Sequence, residues 1–113
     1  MAIPEISADE LVALAAAAAQ RGAGVRLVDV REDDEWAESH ISAAVHVALG
    51  TVPDNLDAFG APGAAEPTYV ICRVGGRSLR ACEYAAAHDK NVINVAGGMM
   101  AWWNAGHDTV SER

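Results

Sequence analysis

Short apolar runs alternate along this chain with helix-length amphipathic stretches, and that alternation restricts the fold more than any other feature. The clearest run is Val25-Arg26-Leu27-Val28-Asp29-Val30, and Ala44-Val45-His46-Val47, Thr68-Tyr69-Val70-Ile71 and Val92-Ile93-Asn94-Val95 repeat its β-branched character. A shorter edge strand fits residues 3–6, where Pro4 is tolerable because an edge position leaves its missing N–H without a required partner. Strands separated by helices predict a mostly parallel sheet covered on both faces. In such sheets ligands sit beyond the carboxyl ends of the strands. Arg31, Cys72 and Gly97 each follow a strand, so they are expected on one rim.

The intervening segments carry helix signals. Ser7 with Glu10 three residues later forms a capping box, Leu11, Leu14, Ala15 and Ala18 give an apolar stripe, and Gly22 supplies the stop. Asp33, Asp34 and Glu35 are acids suited to the first turn of a short helix running to Ser39. Pro53 near a helix start predicts a helix reaching Phe59, and the Gly- and Pro-rich residues 60–67 predict a loop. Ser78 is read as the N-cap of a helix extending to His88. Gly97-Gly98 turns into a last helix holding Met99, Met100, Trp102 and Trp103.

Between the fourth strand and the helix that follows it stands Cys72-Arg73-Val74-Gly75-Gly76-Arg77-Ser78. The two glycines let the backbone curl so that successive N–H groups point inward, and with the free N–H groups of a helix start they make a cradle for an anion. The anion would be the Cys72 thiolate or a group bonded to it. Moving a thiol pKa from about 8.5 to about 6.5 requires about 2.7 kcal/mol, of which a helix terminus supplies only about 0.3 to 1. Arg73 and Arg77 are expected to supply the remainder. A cysteine at a strand end can also be no more than a small buried hydrophobe. The two Arg and two Gly in the next five positions count against that reading.

This loop resembles the active-site loop of the rhodanese family of sulfurtransferases, in which a cysteine carries a persulfide inside a six-residue loop. Phosphatase-type loops related to it place five residues between Cys and Arg; this chain has four, between Cys72 and Arg77, which favours sulfur over phosphate. The resemblance continues in Leu27-Val28-Asp29-Val30-Arg31-Glu32 with Glu35-Trp36 and His40-Ile41, and in Asn91-Val92 through Gly97-Gly98 with Trp102 and Ala105-Gly106. It implies a five-stranded sheet in a three-layer α/β/α sandwich. It implies Cys72 as the nucleophile and sulfur carrier, with Arg73, Val74, Gly75, Gly76, Arg77 and Ser78 binding the substrate. Ser39, Ser42-Ala43, Ala48 and His107-Asp108 depart from the residues usual in the family, and they affect the pocket wall rather than the sulfur chemistry.

The implied activity moves a sulfane sulfur from thiosulfate or a related small anionic donor to cyanide or a thiol. A persulfide carrier or sensor acting on a protein acceptor is the alternative, and phosphatase or arsenate reductase chemistry a weaker one. No cofactor and no metal is expected, since His40, His46, His88 and His107 are scattered and neither cysteine has a ligand neighbour at zinc spacing. Asp29 and Arg31 are expected to support the Cys loop from behind rather than touch substrate. Cys82 falls on the apolar stripe of its helix and is read as core.

With 113 residues the chain is read as one domain, 1–113, burying roughly 65% of its extended surface. A formal net charge of -8 argues against nucleic acid and anionic membranes as partners. The Ala-rich N-terminal stretch is preceded by acids and by no Lys or Arg, unlike a secretion signal. Two cysteines make no disulfide framework. The expectation is a cytoplasmic protein.

Overall fold

The computed structural model describes residues 2–112. Five parallel strands form one sheet: β1 (Glu5–Ile6), β2 (Arg26–Asp29), β3 (Val45–His46), β4 (Thr68–Ile71) and β5 (Val92–Val95), in the order β1-β5-β4-β2-β3. β4 is central, with Val70 registered between Val28 and Asn94. All four of its residues are buried, as a strand with neighbours on both edges and helices on both faces requires.

Alternation along β4 sorts the core into two layers. Tyr69 and Ile71 point to the face covered by α1 (Ala8–Gln20) and by Met99 and Trp102, where Leu11, Leu27 and Val95 join them. Val70 and Cys72 point to the opposite face, against Ala81, Cys82, Ala85 and Phe59. The expected α/β/α sandwich is the fold.

α1 begins as its sequence predicts: Ser7 Oγ accepts from Glu10 N at 3.0 Å and Glu10 Oε1 accepts from Ser7 N at 2.9 Å. Its buried face is Ala8, Leu11 and Ala18, while Leu14 is exposed, so the stripe is narrower than expected. α2 (Asp33–Glu38) carries the anticipated acids in its first turn. The segment after β3 departs from expectation. Instead of one α-helix it forms two 3-10 helices, Leu49–Asp54 and Leu56–Phe59, because Pro53 has no N–H to donate and Asn55 breaks the run between them.

α3 (Gly76–Ala87) starts three residues earlier than a Ser78 N-cap predicts. Its N-cap is Gly75, left-handed at φ 111°, a conformation that costs any Cβ-bearing residue. Ser78 therefore lies in the first turn of the helix and points inward, which frees its hydroxyl for the site. α4 (Gly98–Asn104) follows β5 directly. Among the described residues no helix is long and apolar enough to cross a membrane.

Candidate active site

The turn from β4 to α3 wraps around Cys72. The Cys72 side chain is fully buried, and its Sγ accepts from Gly75 N at 3.1 Å and from Ser78 Oγ at 3.2 Å. Burial pushes the Cys72 thiol pKa up. Hydrogen bonding by the Ser78 hydroxyl, then by the N–H groups of Ser78, Gly75 and Val74, outweighs burial, and the net shift is downward. The expected contribution of the arginines takes a different form, because both guanidinium groups are engaged elsewhere.

Arg77 makes a two-pronged ion pair with Glu35 of α2: Nη1 to Oε1 at 2.6 Å and Nη2 to Oε2 at 2.9 Å. The Arg77 hydrogen bonds hold the Glu35 carboxyl at a pKa of about 2, and Glu35 in turn raises that of Arg77. Arg73 turns outward, with its guanidinium carbon 5.9 Å from the ring centre of Trp103. Val74 is exposed and Gly76 opens α3.

α4 anchors the loop from its other side. Met99 N donates to Cys72 O at 2.8 Å and Met100 N to Arg73 O at 3.0 Å. Gly98 is left-handed at φ 55°, and a Cβ there would overlap the backbone of Cys72 and Arg73. The close approach of α4 to the loop thus depends on glycine at this position.

Asp29 and Arg31 are buried and bound to each other, Arg31 Nη2 to Asp29 Oδ2 at 2.9 Å. Arg31 also donates to Ser39 O at 2.6 Å and to Glu35 O at 3.4 Å. The pair fixes the α2 segment, and through Glu35 that segment reaches Arg77. Arg31, Glu35, Glu38, Ser39, Arg73 and Trp103 line a small cavity of about 240 Å³ beside the loop. A larger hollow of about 900 Å³ lies at the other end of β5, among Ile3, Pro4, Ala86 and Val92, away from the cysteine.

Three contributors were not assigned from sequence. Glu35 reads as a helix-start acid and as part of the Glu35-Trp36 pair in the first family-like block, and its distance of 42 positions from Arg77 hides the pairing. Trp103 rather than Trp102 faces the cavity: Trp102 is buried, and Trp103 Nε1 donates to Ser39 Oγ at 3.3 Å. Asn94 is a buried polar residue in a strand of hydrophobes, and its Oδ1 accepts from Ser78 Oγ at 2.5 Å. A lone Asn within an apolar β-run was the available signal.

The remaining candidates fall where expected. Cys82 is fully buried, and burial pushes its thiol up to about 12, so it is a core residue. His40 is buried, its ring stacked on Trp36 with centroids 3.6 Å apart and Nδ1 2.7 Å from Trp36 O. Among the described residues no group of three or more His, Cys, Asp or Glu could hold a metal ion.

Comparison with known proteins agrees with the fold. YtwF of Bacillus subtilis, named as a candidate sulfurtransferase, is 43% identical over 77 residues, covering 67% of this chain and 71% of that protein. The thiosulfate sulfurtransferase GlpE of Pseudomonas entomophila is 33% identical over 92 residues, covering 76% of this chain and 77% of its own. The crystal structure of a rhodanese-like domain protein from Staphylococcus aureus superimposes with a TM-score of 0.80 at 33% identity, covering 98% of this chain and 100% of that one. The family profile of the rhodanese-like domain matches residues 7–105, nearly the whole chain from the Ser7 cap of α1 to the end of α4, and the chain belongs to that family.

Proposed function

We propose that the chain is a sulfurtransferase in which Cys72 carries the transferred sulfur as a persulfide. The observation that carries this reading is the environment of Cys72 Sγ, which faces the Gly75 N–H and the Ser78 hydroxyl and whose pKa is lowered by hydrogen-bond donors. The thiolate attacks the outer sulfur of thiosulfate or a related sulfane donor. A sulfur–sulfur bond forms on Cys72 as the donor's own sulfur–sulfur bond breaks, and sulfite leaves with the electron pair. A nucleophilic acceptor, cyanide or a thiol, then attacks the outer sulfur of the persulfide and the Cys72 thiolate departs. The order is ping-pong.

Similarity to a thiosulfate sulfurtransferase supports thiosulfate as donor. The cavity beside the loop, with Arg73 on its wall, supports a small anion as its occupant. Free Cys72 and Cys82 fit a reducing compartment such as the cytoplasm.

Mass spectrometry after thiosulfate treatment tests the assignment. One added sulfur is expected on the peptide containing Cys72 and none in Cys72→Ser. Sulfur on Cys82, or sulfur retained in Cys72→Ser, would overturn it. Turnover with thiosulfate and cyanide is expected; a loaded but non-turning protein that passes its sulfur only to another protein would make it a carrier instead.

A further inference from the structure

Asn94 is 1% exposed, and its side-chain amide is held in one orientation. Nδ2 donates to Glu5 Oε2 at 2.9 Å and to Gly75 O at 3.2 Å. A carboxylate and a carbonyl only accept, so the NH₂ group must face them and Oδ1 must face Ser78. The Ser78 hydroxyl has one proton and three acceptors within reach: Asn94 Oδ1 at 2.5 Å, Cys72 Sγ at 3.2 Å and Gly75 O at 3.2 Å.

The arrangement forces an exchange. While Cys72 is a thiol, its S–H can donate to Ser78 Oγ and Ser78 can donate to Asn94, so each group is served. When Cys72 ionises, the thiolate draws the Ser78 proton, and the buried Asn94 oxygen loses its donor, which is unfavourable. When Sγ is bonded to a second sulfur, the charge sits on the outer atom and the Ser78 proton returns to Asn94. We propose that Asn94 is a positioning residue that competes with Cys72 Sγ for the single proton of Ser78, and so favours the sulfur-bonded form of Cys72 over the free thiolate. The inference rests on the sulfur-transfer reading of Cys72.

Other charged or titratable groups lie on the elements packed about the loop: Arg77 on α3, bound to Glu35 of α2; Cys82 on α3; Glu5 on β1; Arg73 in the loop; and the Asp29–Arg31 pair at the end of β2, beside β4. A double-mutant comparison removes their common contribution. The ionisation of Cys72 is read from the ultraviolet absorbance of the thiolate during a pH titration, with Cys72→Ser subtracted. Ser78→Ala is expected to raise the midpoint by about one pH unit, through loss of the donor to the thiolate. Asn94→Leu is expected to lower it by about half a unit and to shift nothing in the Ser78→Ala background.

Glu5 is exposed on the edge strand, so Glu5→Ala retains the fold while releasing the amide. It is expected to lower the midpoint in the same way, an effect that Ser78→Ala reduces. No shift or an upward shift in Asn94→Leu, or equal shifts with and without Ser78, would overturn the proposal. The titration reads ionisation alone. A Cys72 that takes up no sulfur would refute sulfur transfer while leaving the measured competition for the proton intact.

Discussion

Arg77 and Glu35, 42 positions apart in sequence, meet through two parallel hydrogen bonds that tie the helix after the cysteine loop to the short helix after β2. The two-pronged geometry neutralises a guanidinium that lies near Cys72, and leaves Arg73 as the loop arginine that lines the cavity. A loop that reads as doubly cationic in sequence is thus closer to singly cationic in three dimensions.

That pair makes the protein sensitive to acid. Glu35 has its native pKa lowered from 4.5 to about 2, so the unfolded chain binds more protons than the native one between those values and stability falls as the pH drops through them. Glu35→Gln is expected to cost about 1 kcal/mol at neutral pH, a modest value because the pair is partly exposed. Thermal melts of the two proteins across an acid pH series should show the gap closing as the pH falls toward 2, the folded value. A gap that stays constant would remove the pair from the acid response.

Donor binding should respond with opposite signs to two charges on the cavity wall. Arg73→Gln is expected to raise the KM for thiosulfate about tenfold with little change in kcat, since the charge attracts the anion without touching the bond that breaks. Glu38→Gln removes a repelling carboxylate from the same cavity and is expected to lower KM about two- to threefold. Steady-state kinetics at low and high salt checks both. The differences should shrink as ionic strength rises.

Gly98 holds α4 against the carbonyls of Cys72 and Arg73. Gly98→Ala combines a left-handed backbone with a collision against that backbone, and is expected to cost more than about 2 kcal/mol and most of the turnover. Gly22→Ala has the same backbone sign at φ 71° but meets nothing within 4 Å, so only the conformational cost, about 1 kcal/mol, is expected, with turnover unchanged. Denaturant unfolding together with the sulfurtransferase assay separates the two effects.

Local rules made much of the architecture legible. The Ser7 and Glu10 capping box, the Gly22 stop, the four apolar strand runs and the strand-to-helix position of Cys72 depend on neighbours a few residues away, and the structure agrees with each. Burial of Cys82 followed from its place on a helical stripe. Where a rule needed an exact backbone path, the reading slipped. Ser78 reads as an N-cap, but the left-handed Gly75 starts α3 earlier and turns the Ser78 hydroxyl onto the sulfur.

From the sequence alone come the parallel α/β class and the junction that holds the cysteine, because these follow from periodicity, glycine placement and chain order. Which charges act there is set in three dimensions. Long-range pairing gives Arg77 to Glu35, and Asn94 to both Glu5 and Ser78. A buried polar group must find a partner wherever the fold brings one within reach, and that distance is set by the packing of the sheet and its helices rather than by spacing along the chain.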